Sequence, residues 1–162
     1  MSPKEVTARM LADPRHFLSL GFGSGLAPIA PGTAGTLAAI PVYLLVAGLD
    51  PWLYFAITLV LFLLGVYLCD YTSRYLGVHD HSAIVWDEVV GYLLTMWLVP
   101  LSLASVVLGF FAFRLFDVWK PWPIRLLDRR VAGGLGIMLD DIAAAVYAGV
   151  TVHIVLHFTD LI

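Results

Sequence analysis

Four long stretches of the chain carry no Asp, Glu, Lys or Arg: 16–49, 51–69, 89–113 and 142–159, which are 34, 19, 25 and 18 residues long. A membrane-crossing helix needs roughly 17–25 apolar residues, so each stretch has room for an embedded helix. The first is too long for one span. Its first half is rich in turn formers, with Gly21-Phe-Gly-Ser-Gly25, Pro28 and Pro31-Gly32, and reads as an ordered loop or re-entrant segment. The helix follows at about 33–49, with Pro41 in its first turns, where a membrane helix tolerates proline. The third stretch is interrupted by Pro100-Leu-Ser102. It predicts a hairpin of two partly embedded helices, 87–99 and 103–120; a single kinked span is the alternative. With helices at 51–69 and 141–158, the pattern predicts an all-α, multi-pass membrane protein. It has about five embedded helices in one domain, 1–162, joined by segments 1–32, 70–86 and 121–140.

Composition agrees. The chain is 60% hydrophobic and 13% charged, with a mean hydropathy of +0.90, whereas soluble domains carry about 25% charged residues. A disordered chain and a basic nucleic-acid binder (the net charge is -3) are excluded, and the single cysteine, Cys69, excludes a disulfide framework. The cations then give an orientation. With the N-terminus inside, five crossings place Lys4, Arg9, Arg15, Arg74, Arg114, Lys120, Arg125, Arg129 and Arg130 all on the cytoplasmic side. The outer loops at 50–51 and 100–102 and the tail 159–162 have neither Lys nor Arg. That is the positive-inside pattern. A single kinked span over 89–113 would break it, so the charges favour the hairpin. Residues 1–16 are polar and do not resemble a signal peptide.

The carboxylates are less easily explained. Asp87-Glu88, Asp117 and Asp140-Asp141 sit at or within helices entering the membrane. An ionisable group at mid-bilayer costs about 2.5–3.5 kcal/mol on insertion scales and so points to function. Helix capping is the plain alternative for both acidic pairs. Two adjacent carboxylates exceed what a cap needs, however, and Asp117 lies near a helix C-terminal end, where the dipole disfavours it. Together the five suggest a site for a hard divalent cation such as Mg²⁺, which takes one or two carboxylates, waters and phosphate oxygens. Arg114, Asp117 and Lys120 follow at i, i+3, i+6, and successive members are neighbours on a helix. An ion-pair ladder with ordinary juxtamembrane positive charge accounts for Arg129 and Arg130. It accounts poorly for Arg114, which follows Phe110-Phe-Ala-Phe113. A guanidinium, an ammonium and a carboxylate-held cation are the parts that hold a phosphate.

Other motifs are weaker. His79-Asp80-His81 has a spacing that can ligate a metal or supply a proton, though loops also carry histidine without such a role. His153 and His157 lie 12 and 16 residues beyond Asp141, towards the opposite membrane face, and read as packing or interfacial residues. Gly32 and Thr33 open the first membrane helix, where free N–H groups bind an anion or small residues allow close packing. The Gly21–Gly25 run follows no strand, which a phosphate-binding loop requires. Cys69 and Arg74 are separated by four residues, one fewer than a cysteine phosphatase loop needs. No Asp-x-Asp-x-Thr/Val motif or acid-phosphatase signature is present, so no motif indicates a covalent intermediate.

Four strings, Gly23-Ser-Gly-Leu-Ala-Pro-Ile-Ala-Pro-Gly-Thr33, His79-Asp-His-Ser-Ala-Ile-Val-Trp-Asp-Glu88, Phe113-Arg-Leu-Phe-Asp-Val-Trp-Lys-Pro-Trp-Pro-Ile124 and Gly136-Ile-Met-Leu-Asp-Asp141, resemble the phosphatidylglycerophosphatase A family. These are bacterial inner-membrane enzymes that dephosphorylate phosphatidylglycerophosphate. The resemblance implies an Mg²⁺-dependent lipid phosphatase that completes phosphatidylglycerol synthesis at the cytoplasmic face. On the present reading of the residues, Asp80, Asp87, Glu88, Asp117, Asp140 and Asp141 hold the metal. Arg114, Lys120 and Arg125 clamp the terminal phosphate, with Gly32 and Thr33 as further phosphate contacts. Water attacks phosphorus in line, and His79, His81 or solvent protonates the departing glycerol oxygen. The partners expected are the lipid substrate and the bilayer, with no nucleic acid and no obligate protein. Two alternatives stay open: a phosphatase for phosphatidic acid or a polyprenyl phosphate, and a non-enzymatic membrane protein that binds anionic lipid or divalent ions.

Overall fold

A computed structural model describes residues 5–159, apart from the side chains at 127–129. Lys4, Asp160 and the side chain of Arg129 therefore lie outside the described residues. A 3-10 turn at Ala8–Ala12 leads to α1 (Pro14–Ser19) and a second 3-10 segment, Gly21–Leu26. Then come α2 (Pro31–Val46), α3 (Pro51–Leu76), α4 (Trp86–Thr95), α5 (Leu103–Trp119), α6 (Ile124–Arg130) and α7 (Gly133–Thr159). The described residues contain no strand.

Local chemistry sets most boundaries. Asp50 accepts hydrogen bonds from the backbone N–H of Trp52 and Leu53 and so caps α3, with Pro51 at the first helical position. Gly77, at φ 72°, ends α3 in the left-handed conformation that glycine adopts without a Cβ clash. Ser102 accepts from Ser105 N–H and caps α5.

α4 is the centre of the molecule. Every residue in it except Leu94 is buried, and it packs against α2, α3, α5 and α7. Its ten residues span about 15 Å, half of a hydrocarbon layer about 30 Å thick. By contrast, α3 and α7, with 26 and 27 residues, are long and apolar enough to cross a membrane. Around α4 the outer faces carry Leu45, Trp52, Leu103 and Val118, each more than two-thirds exposed. An apolar surface of this kind is compatible with a lipid environment. The described residues form an all-helical structure with two helices, α3 and α7, long and apolar enough to cross a membrane.

Several expected boundaries move. The helix expected at 33–49 is Pro31–Val46, because Pro31 suits a first helical turn. Pro41 is therefore mid-helix and leaves the Leu37 carbonyl without its helical donor. α3 runs beyond residue 69 to Leu76, and its extra turns are stabilised by an Asp70–Arg74 ion pair at 2.8 Å. The break at Pro100 occurs as expected, but α4 stops at Thr95, short of 99, and Leu98 takes a positive φ of 62°. The hairpin's first arm is thus half a span. α7 starts at Gly133, two turns before the expected 141. The glycine-rich stretch before α2 is ordered: Val85 N–H donates to Ser19 O at 3.0 Å, and Gly25 lies against the Ala83 carbonyl.

Candidate active site

The early start of α7 changes the standing of Asp140 and Asp141. They lie inside a helix, 4% and 3% exposed, where the backbone N–H groups are already bonded to preceding carbonyls. Capping cannot explain them. Asp87 and Glu88 do occupy the first turn of α4, but that helix has no side-chain cap hydrogen bond. Both are buried as well.

α4 and α7 bring these groups together. One oxygen from each of Asp87, Glu88 and Asp141 lies within 4.8 Å of the other two. Asp87 Oδ1, Glu88 Oε2 and Asp141 Oδ2 are buried without a hydrogen-bond partner. A buried carboxylate oxygen left in this way is costly, and three of one sign in contact compound the cost. Asp117, in the last turn of α5, adds a fourth carboxylate in contact with Asp141.

Two cations border the group. Arg114 pairs with Asp117, one turn along α5, and its Nη1 lies 3.9 Å from Glu88 Oε1. Lys120 Nζ reaches Asp140 Oδ2 at 2.5 Å. Lys120 ends α5 in a left-handed conformation, φ 46° and ψ 61°, a state that costs a non-glycine residue about 1 kcal/mol or more. Five carboxylates against two cations leave a formal charge of -3. A divalent cation at Asp87, Glu88 and Asp141 would offset most of it, and oxygen ligands of this kind suit Mg²⁺. The donor set fits.

The start of α2 completes the enclosure. A Cβ on Gly32 would overlap Glu88 Oε1 and lie 3.1 and 3.2 Å from the two terminal nitrogens of Arg114. Gly32 is thus a place where backbone must come close to the charged group. Thr33 follows in the same first turn, half-buried.

The remaining candidates are not among the three clustered carboxylates. His79 Nε2 accepts from Gly133 N–H at 2.8 Å and, with Asp70, which accepts from Gly134 N–H at 3.3 Å, holds the start of α7. His81 Nδ1 accepts from Ala83 N–H at 3.1 Å within its own loop. Asp80 is exposed and is not one of the three residues in the carboxylate group, but it is near enough to Asp87 to interact with it electrostatically. Arg125 is exposed on α6 and lines a pocket beside Lys120. His153 bonds to Gly149 O on the exposed face of α7. The capping role of Asp70 and His79 was not apparent from sequence; its one signal was the Gly133-Gly134 pair, which marks a close backbone approach.

Comparison with known proteins gives the geometry a context. Residues 17–156 match the family described as phosphatidylglycerophosphatase A. A phosphatidylglycerophosphatase A of Escherichia coli (strain K12) is 48% identical over 149 residues, covering 91% of this chain and 86% of the relative. One from Haemophilus influenzae is 46% identical over 144 residues, covering 88% of each. A putative phosphatidylinositol-3-phosphatase of Bacteroides thetaiotaomicron is 32% identical over 145 residues, covering 85% of this chain and 90% of the relative. No solved structure matches. With four carboxylates gathered between α4, α5 and α7 and the match extending over almost the whole length, the chain belongs to the phosphatidylglycerophosphatase A family.

Proposed function

We propose that the protein hydrolyses the terminal phosphate monoester of phosphatidylglycerophosphate, giving phosphatidylglycerol and phosphate in phospholipid biosynthesis, and that it does so with Mg²⁺. The family supplies the reaction. The observation that carries the site is the trio of orphaned, buried oxygens on Asp87, Glu88 and Asp141.

These three residues would hold the cation. When bound, Mg²⁺ supplies charge stabilisation at the phosphoryl oxygens and promotes ionisation of water. The protein's own groups do the rest. Arg114 offers a planar fork suited to two phosphoryl oxygens, and Asp117 fixes that fork through their ion pair. Lys120, held by Asp140, keeps positive charge at the rim. Gly32 lets the first turn of α2 approach, with its N–H groups facing developing negative charge. His79 and His81 each accept a backbone N–H at one ring nitrogen, which leaves the other nitrogen of each able to donate, so the departing glycerol oxygen takes its proton from one of them or from solvent.

The placement we infer is the bacterial inner membrane. α2, α3, α4, α5 and α7 are the embedded helices, and the N-terminus and the site are cytoplasmic. The sidedness of the nine Lys and Arg residues supports it. The 32% identical relative, a putative phosphatidylinositol-3-phosphatase, keeps a monoester reaction with a different headgroup. The higher identity to two phosphatidylglycerophosphatases favours the glycerophosphate headgroup.

Phosphate release from phosphatidylglycerophosphate, phosphatidic acid and a polyprenyl phosphate by purified protein in detergent tests this reading. Fastest release from the first is the expected result. Binding without release from any of them would leave a lipid-binding or ion-binding membrane protein as the account.

A further inference from the structure

Next to the carboxylate group lies a pocket of about 480 Å³ lined by Trp119, Lys120, Pro121, Trp122, Arg125 and Leu126. Lys120 belongs to both places: it lines the pocket, while its Nζ reaches Asp140, the neighbour of Asp141. Arg125 adds a second cation to the lining. Trp119 and Trp122 are 62% and 78% exposed, and their amphipathic rings are the kind that settle at lipid headgroup level. The reaction proposed above accounts for none of Arg125, Trp119 or Trp122.

The substrate has a matching feature. Phosphatidylglycerophosphate carries two anionic phosphates joined by one three-carbon glycerol: the monoester that is removed and the diester that stays. With the monoester beside Arg114, the diester must lie within one glycerol of it, towards the lipid. We propose that the Arg125 pocket is a subsite for this diester phosphate, with the two tryptophan rings against the glycerol and the interface. The enzyme would then select lipids that keep a second phosphate beside the one removed. This inference rests on the phosphatase reading and extends it to headgroup choice.

Arg125 suits that role. Its guanidinium can contact two diester oxygens at once, and its exposure leaves it free of any duty in the core. Lys120, engaged by Asp140, marks the boundary between the two phosphate positions.

The test compares kcat/KM for phosphatidylglycerophosphate with that for phosphatidic acid, whose one phosphate is a monoester, in detergent with Mg²⁺. Competitive inhibition by phosphatidylglycerol, which has the diester alone, is measured alongside. Wild type should prefer the lipid with two phosphates. Arg125→Gln should lower that preference by on the order of tenfold and weaken phosphatidylglycerol inhibition by a similar factor, as expected for one charge-assisted contact. Arg125→Lys should restore part of both, and Trp122→Ala should shift both the same way as Arg125→Gln. Equal losses on both lipids, or an unmoved preference and inhibition, would overturn the subsite while the phosphatase reading stands. Release from neither lipid by the wild type would overturn both.

Discussion

Asp87 on α4 and Asp141 on α7 bring carboxylate oxygens to within 4.8 Å of each other, together with Glu88, and each keeps one buried oxygen without a partner. Like charges this close cost stability when no cation is bound. Asp141→Asn should therefore raise the melting temperature of the metal-free protein. It should also abolish the rise that Mg²⁺ gives the wild type through binding to the folded state. Thermal unfolding in detergent, with and without Mg²⁺, checks both. A lower melting temperature for metal-free Asp141→Asn would make the aspartate a structural anchor.

Arg114 is largely buried, paired with Asp117 and 3.9 Å from Glu88. Lysine keeps the charge but loses the fork. Arg114→Lys should lower kcat/KM by about 2–3 kcal/mol of transition-state stabilisation. Arg130→Lys, at an exposed position, should change it little. Steady-state kinetics on the two variants separates a phosphate clamp from general positive charge.

Two glycines should fail differently. At Gly32 an added Cβ meets the side-chain ends of Glu88 and Arg114 and not backbone, so Gly32→Ala should disturb those two groups and cut activity with less loss of stability than a clash with backbone would bring. At Gly134 it overlaps the Val66 carbonyl and lies 2.8 Å from the Asp70 backbone nitrogen. Neither can yield without separating α3 from α7, so Gly134→Ala should destabilise by several kcal/mol, as overpacking against rigid backbone does. Gly48→Ala, with nothing within 4 Å, is the control. Melting temperature and activity measured together distinguish the three.

How far the sequence led can be judged at particular residues. The charge-free stretches gave the all-helical class and the break at Pro100, because burial in lipid leaves a direct compositional trace. They misplaced α7 by two turns. Gly133, Gly134 and Gly136 look like helix breakers in isolation, and only the folded structure shows Gly134 against Val66 and Asp70 of α3 and Gly136 against the Val131 carbonyl, approaches that a Cβ would block. That error kept capping open as an explanation for Asp140 and Asp141. The half-length of α4 was also hidden, since an apolar run reads the same whether it faces lipid or protein. Arg114 was legible as a misfit among phenylalanines, and Asp117 at i+3 supplied its partner. The close approach of Gly32 to Glu88 links residues far apart in the chain, which no local pattern encodes.

Sidedness has its own test. The proposed topology, five embedded helices with the N-terminus inside, would put every Lys and Arg on the cytoplasmic side. A reporter fused after the last residue should read as periplasmic, and one inserted at Arg130 as cytoplasmic. A cytoplasmic C-terminus would contradict the assignment of α4 and α5 as a membrane hairpin.

The central claim is that the Asp87–Glu88–Asp141 group performs metal-dependent removal of the terminal phosphate. Phosphate release from phosphatidylglycerophosphate across a range of Mg²⁺ concentrations, after treatment with EDTA, measures it most directly. Wild-type activity should be absent without the metal and return as Mg²⁺ is added. Asp141→Asn should lose at least roughly a hundredfold in kcat at saturating metal, as expected for lost transition-state stabilisation. Asp50→Asn, at a helix cap remote in sequence from the group where asparagine serves equally well, should match the wild type. Full activity in EDTA, or in Asp141→Asn, would contradict the account.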